Sequence, residues 1–80
     1  MLESSYQRKV IKKYESLGFY VIKLIKSNIV GIPDLICLKP DKVIFVEVKG
    51  LKTPLSAVQK YLHKKLIALG FEVIIDRSEK

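Results

Sequence analysis

Apolar residues recur through residues 2–17 at helical spacing: Leu2, Tyr6, Val10, Tyr14 and Leu17 stand four, four, four and three apart. The other face carries Arg8, Lys9, Lys12, Lys13 and Glu15, and Gly18 follows as a helix terminator. The next run, "FYVIKLIK" at 19–26, is β-branched and aromatic and predicts a strand. "SNIVGIP" at 27–33 breaks the pattern and predicts a loop. Residues 34–39 and 42–49 read as two strands joined at Pro40-Asp41, apolar on both faces and therefore central in a sheet. A short basic loop, "GLKTP" at 50–54, leads to a second helix whose apolar row is Leu55, Val58, Leu62, Leu66 and Leu69. Gly70 ends that helix, "FEVIID" at 71–76 is a last strand, and 77–80 is a polar tail. The predicted order is α-β-β-β-α-β, with no internal repeat or linker.

The central hairpin contains a conflict. Any symmetric loop about Pro40 and Asp41 keeps the numbers of paired residues summing to 81, so Asp34 faces Glu47. Cross-strand partners have Cβ atoms ~4.5–5.5 Å apart. Side chains alternate along a strand, so Glu47 and Lys49 share a face, ~6.8 Å apart. Pro-Asp is not a favoured two-residue hairpin turn, so a longer symmetric loop is expected. Two carboxylates opposite one another repel. Two arrangements offset that repulsion: a structural Lys–Asp–Glu cluster, or a hard divalent cation held by the carboxylate oxygens.

Size and charge narrow the setting. A chain of 80 residues is expected to be one domain spanning 1–80. Such a chain buries only ~60–65% of its unfolded surface, which makes self-association a natural way to cover the rest. The formal net charge of +7 points to a polyanionic partner, nucleic acid ahead of anionic membrane or acidic protein. No apolar run approaches the ~18 residues of a membrane span. The single cysteine, Cys37, and an N-terminus without a signal-peptide pattern lead to the expectation of a cytoplasmic protein. Cys37 itself reads as core.

The stretch "GIPDLICL … FVEVKG" resembles the PD-(D/E)XK nuclease signature, in Pro33-Asp34 and Glu47-Val48-Lys49. The "G-x-P-D-L" and "F-V-E-V-K-G" segments, followed by "L-S-x-x-Q" at 55–59, are most similar to the VRR-NUC branch in its short stand-alone form. The resemblance runs from Glu3 to Asp76. It implies a restriction-endonuclease-like α/β core, a central mixed four-stranded sheet flanked by two helices. It also implies a metal-dependent nuclease, similar to the compact dimeric resolvases that act on four-way DNA junctions. On that likeness Asp34, Glu47, the main-chain carbonyl of Val48 and the helix-one acid Glu3 would hold Mg²⁺, or Mn²⁺ in its place. Lys49 would orient the attacking water and balance phosphate charge, and Gln59 would lie beside the site. No small-molecule cofactor is implied.

Each of these residues also has a plainer reading. Ser56 and Gln59 form a helix capping box. Glu3 suits the positive end of the first helix. His63, one turn beyond Gln59, could reach the same side but reads first as a solvated helix residue, and Tyr6, Tyr14 and Tyr20 read as packing. Arg8, Lys9, Lys12, Lys52, Lys60 and Lys64 are placed to hold DNA phosphates, contacts that carry no sequence code. The expected function is a Mg²⁺-dependent endodeoxyribonuclease acting as a homodimer on branched DNA. The alternatives are a nuclease for flaps, nicked or general DNA, a non-catalytic nucleic-acid-binding module, and an interaction subunit for an acidic protein.

Overall fold

A computed structural model describes residues 2–77, with side chains described from residue 5 onward. The elements are α1 (Leu2–Ser16), β1 (Tyr20–Lys23), β2 (Leu35–Lys39), β3 (Lys42–Val48), α2 (Ala57–Ala68) and β4 (Glu72–Asp76). The α-β-β-β-α-β order is the predicted one. The strands form one sheet in the order β1-β2-β3-β4. The first three are antiparallel, and β4 runs parallel to β3. A parallel pair needs a crossover connection, and α2 supplies it.

Alternation along β3 sends successive side chains to opposite helices. Ile44, Val46 and Val48 join Val10 and Tyr14 of α1, together with Phe19, Leu35 and Cys37, in one buried cluster. Phe45 joins Leu62 and Leu66 of α2 on the other face, with Ile36 and Val73 packed against them. The apolar runs predicted to be central are central.

The ends of α1 and β1 differ from the sequence reading. Leu17 is exposed, and Phe19 completes the α1 core row in its place. Gly18 takes a φ of 96°, which turns the chain back on itself. The Phe19 N–H then donates to the Tyr14 carbonyl at 3.1 Å and Gly18 N–H to that of Glu15 at 3.0 Å. This pair of bonds is a Schellman motif, and the apolar contact that accompanies it is the edge-on packing of Tyr14 against Phe19, ring centroids 5.8 Å apart. β1 is an edge strand of only four residues, and Tyr20 and Ile25, which a longer central strand would cover, face solvent.

The hairpin register is the symmetric one: Lys39↔Lys42, Leu38↔Val43, and so on to Leu35↔Val46. The expected longer loop is corrected to a two-residue turn. Pro40 occupies its first position and Asp41 its second with φ 62°, the order a type II turn uses. Aspartate tolerates that left-handed region better than most residues do.

In α2 the inward row is shifted from the predicted one. Leu62, His63 and Leu66 are buried, whereas Val58 and Leu69 are exposed, Leu69 by 66%. The N-terminus is fixed by a capping box: Ser56 Oγ accepts the Gln59 N–H at 3.1 Å, and Gln59 Oε1 accepts the Ser56 N–H at 2.9 Å. Among the described residues no helix is long and apolar enough to cross a membrane.

Candidate active site

The loop that delivers Asp34 is held from three sides. Gly31 has a φ of 87°, and a Cβ there would stand 2.7 Å from the Val58 side chain and 3.2 Å from its backbone. Glycine is therefore required twice over, by conformation and by the close approach of the α2 N-terminus. Pro33 is fully buried. The Asp34 carbonyl accepts the Leu24 N–H at 2.8 Å.

The β2–β3 ladder ends at Leu35↔Val46, one pair short of Asp34↔Glu47. Asp34 lies in a bend, and its Oδ2 accepts the Val48 N–H at 2.8 Å. A side-chain oxygen thus takes over where the next backbone bond of the ladder would have been. Glu47 shares its parity with Phe45, which faces α2, and the Asp34 carboxylate lies at the end of β3 against the Val48 N–H.

Glu47 is only 3% exposed. A buried carboxylate needs hydrogen-bond donors, and α2 supplies two. Gln59 Nε2 stands 3.4 Å from Glu47 Oε2, and His63 Nε2 stands 3.4 Å from Oε1. The reading of His63 as a solvated residue is corrected: the ring is 6% exposed and turned inward. Burial first, and then the positive charge of Lys49, push its imidazole below the ordinary histidine pKa. The signal that locates it is its place four residues after Gln59 and one after Leu62, on the inward row. Lys49 follows β3 directly, half-buried, with its N–H donated to the Asp76 carbonyl at 3.1 Å.

Asp34, Glu47, Lys49 and Gln59 are therefore gathered at the β3 C-terminal end of the sheet. Glu3 falls in the first turn of α1, and its side chain lies outside the described residues. Among the described residues no three His, Cys, Asp or Glu side chains form a metal-holding group. Two carboxylates and the Val48 main-chain carbonyl are hard oxygen donors, a set that suits Mg²⁺, which keeps several of its waters. The predicted DNA-contacting residues divide. Lys52 lies in the exposed loop after Lys49, and Lys60 and Lys64 lie on α2. Arg8, Lys9 and Lys12 are exposed on α1, across the sheet from them.

Two further features had no sequence signal. Asp76 is a buried carboxylate on the α1 face, accepting Tyr6 Oη–H at 2.7 Å and Lys13 Nζ–H at 2.5 Å. Tyr6 thus does more than pack, and the bond to Asp76 raises the Lys13 pKa. Arg77, read as part of a polar tail, donates from Nη1 to the carbonyls of Gly50 at 2.7 Å and Thr53 at 2.6 Å. It pins the loop that carries Lys52.

Comparison with known proteins bears on this arrangement. The family model of the VRR-NUC domain matches residues 3–80. A protein of Acyrthosiphon pisum secondary endosymbiont phage 1, named "Putative nuclease p44", is 31% identical over 78 residues, covering 96% of this chain and 84% of its own. A solved VRR-NUC domain structure superposes with a TM-score of 0.84 at 31% identity, over 95% of this chain and 84% of that one.

Proposed function

This chain belongs to the VRR-NUC domain family, a family of nucleases, and from that membership we propose a Mg²⁺- or Mn²⁺-dependent endodeoxyribonuclease selective for branched DNA. The observation that carries the proposal is the hydrogen bond from the Val48 N–H to Asp34 Oδ2, which fastens one acid beside the residue that follows the other, Glu47, with Lys49 next in the chain. Asp34, Glu47 and the Val48 carbonyl would hold the ion, and the family likeness adds Glu3 as a further ligand. The ion would supply a water of lowered pKa and Lewis-acid stabilisation of charge on the phosphate. Lys49 would orient that water and offset the phosphate charge. Gln59, fixed by its capping bond to Ser56, steadies Glu47. Lys52, Lys60, Lys64, Arg8, Lys9 and Lys12 lie on both sides of the sheet, a spread that would suit a substrate with diverging arms. The small size of the chain and exposed apolar residues such as Tyr61, Ile67 and Ile75, which a second copy would cover, support a homodimer. Two sites related by a two-fold axis could nick two strands of a symmetric four-way junction.

The test is cleavage of a four-way junction, a flap, a nicked duplex and a linear duplex, each with Mg²⁺, with Mn²⁺ and with chelator. The expected result is metal-dependent cutting, with the junction preferred. Equal cutting of every substrate would remove the selectivity for branched DNA. Cutting in chelator would remove the metal. Light scattering at the mass of a single chain would remove the dimer.

A further inference from the structure

We propose that His63 is a positioning residue for the Glu47 carboxylate, holding it from α2 in the orientation that a hard cation requires. The proposal rests on the metal-dependent reading above and adds a residue to it. Glu47 sits on β3 beneath α2, and two side chains one helical turn apart reach it. Gln59 meets Oε2 and His63 meets Oε1, each at 3.4 Å. The terminal torsion of a glutamate is broad, so one donor leaves the carboxylate plane free to turn. Donors on both oxygens fix it.

The two donors are themselves held in different ways. Gln59 is tied through Oε1 to the Ser56 N–H, so the capping box and the contact to Glu47 use opposite ends of one amide. His63 is held by burial: it is 6% exposed, lying between Glu47 and a groove that Tyr61, Ile67, Val73 and Ile75 share with Lys60 and Lys64. Against an ionised carboxylate, which only accepts, Nε2 is the donor. Residues that orient a metal ligand in this way commonly change metal affinity or activity ~10–100-fold when replaced.

The experiment compares wild type with His63→Leu, His63→Gln and His63→Asn, each checked for folding by circular dichroism and thermal melting. Mn²⁺ binding is titrated by electron paramagnetic resonance without DNA. Glutamine carries an N–H about where Nε2 lies, whereas asparagine is too short to reach. The expected result is a Mn²⁺ dissociation constant raised ~10-fold or more in His63→Leu and His63→Asn, and within about threefold of wild type in His63→Gln. Wild-type affinity in His63→Leu would overturn the proposal. So would equal weakening in folded His63→Gln and His63→Asn, which would make the ring a packing element only. Should His63→Leu fail to fold, the Gln–Asn comparison decides alone. No Mn²⁺ binding by wild type would show instead that the metal reading itself has failed, and the proposal would fall with it.

Discussion

The carboxylate of Asp34 accepts the backbone N–H of Val48, the residue that follows Glu47, at 2.8 Å. The first acid is thereby tied to the backbone of the second. On the proposed metal-dependent reading Asp34 has two tasks that substitution can separate, an acceptor for the strand end and a negative charge for the ion. Asp34→Asn keeps a carbonyl oxygen for Val48. It is expected to lose cleavage while its urea unfolding midpoint stays near wild type. Asp34→Ala leaves the N–H without its partner, at a cost of about 1–3 kcal/mol. It should lose both activity and stability. Equal stability of the two variants would show that the Val48 bond contributes nothing.

Gly31 sets where Asp34 stands. Gly31→Ala places a side chain at φ 87° against Val58. The left-handed conformation alone costs about 1–2 kcal/mol, and the approach to the Val58 backbone adds to it. The expected result is a urea midpoint lowered by at least that conformational cost, with reduced cleavage even where the protein is fully folded. Unchanged unfolding would mean that the loop relaxes freely and does not position the acid.

The register of the hairpin was legible because it depends on symmetry alone: Lys39↔Lys42 and Leu35↔Val46 follow from any even turn. The turn itself was not, because the favoured-turn rule weighs Pro-Asp by frequency, whereas Asp41 can adopt φ 62°. The family motif singled out Asp34, Glu47 and Lys49 as candidates. It did not reach His63, because the most apolar row of α2, through Val58 and Leu69, is not the buried row. Near the N-terminus of α2 the facing strand presents Glu47, so the inward positions there are polar: Gln59 and His63. Asp76 and Arg77 were invisible because their partners, Tyr6, Lys13, Gly50 and Thr53, lie at least 24 residues away.

Stability is expected to fall at alkaline pH. Burial pushes the Cys37 thiol from 9.0 up to about 11. Burial also raises Tyr14, and the Asp76 bond raises Lys13. In each case the folded state keeps its proton to a higher pH than the unfolded chain does. The resulting stability is therefore complete below the unfolded pKa values and is lost as pH rises through the folded ones. Urea midpoints should hold steady up to about pH 8 and decline from about pH 9 upward. Cys37→Ala should decline less steeply, from a lower starting stability because it opens a core cavity. A wild-type midpoint unchanged to pH 11 would contradict the burial of Cys37 and Tyr14 and the Lys13–Asp76 bond.

Arg77 and Lys52 should act on DNA as one unit. Arg77 grips the Gly50 and Thr53 carbonyls, and the turn between them is closed by the Thr53 N–H on the Gly50 carbonyl at 3.2 Å. Lys52 rides on that turn. If it contacts a phosphate, Lys52→Ala lowers the slope of log affinity against log salt by about 0.9. The loss should be alike on duplexes of different sequence, since phosphate contacts carry no sequence code. Arg77→Ala frees the turn and should produce the same loss, although Arg77 donates to the loop backbone and is not asked to touch DNA. Residues that share one network are not additive. The double variant should therefore bind no more weakly than either single one. Full additivity would mean that Arg77 contacts the phosphate backbone in its own right and that the loop holds its shape without it.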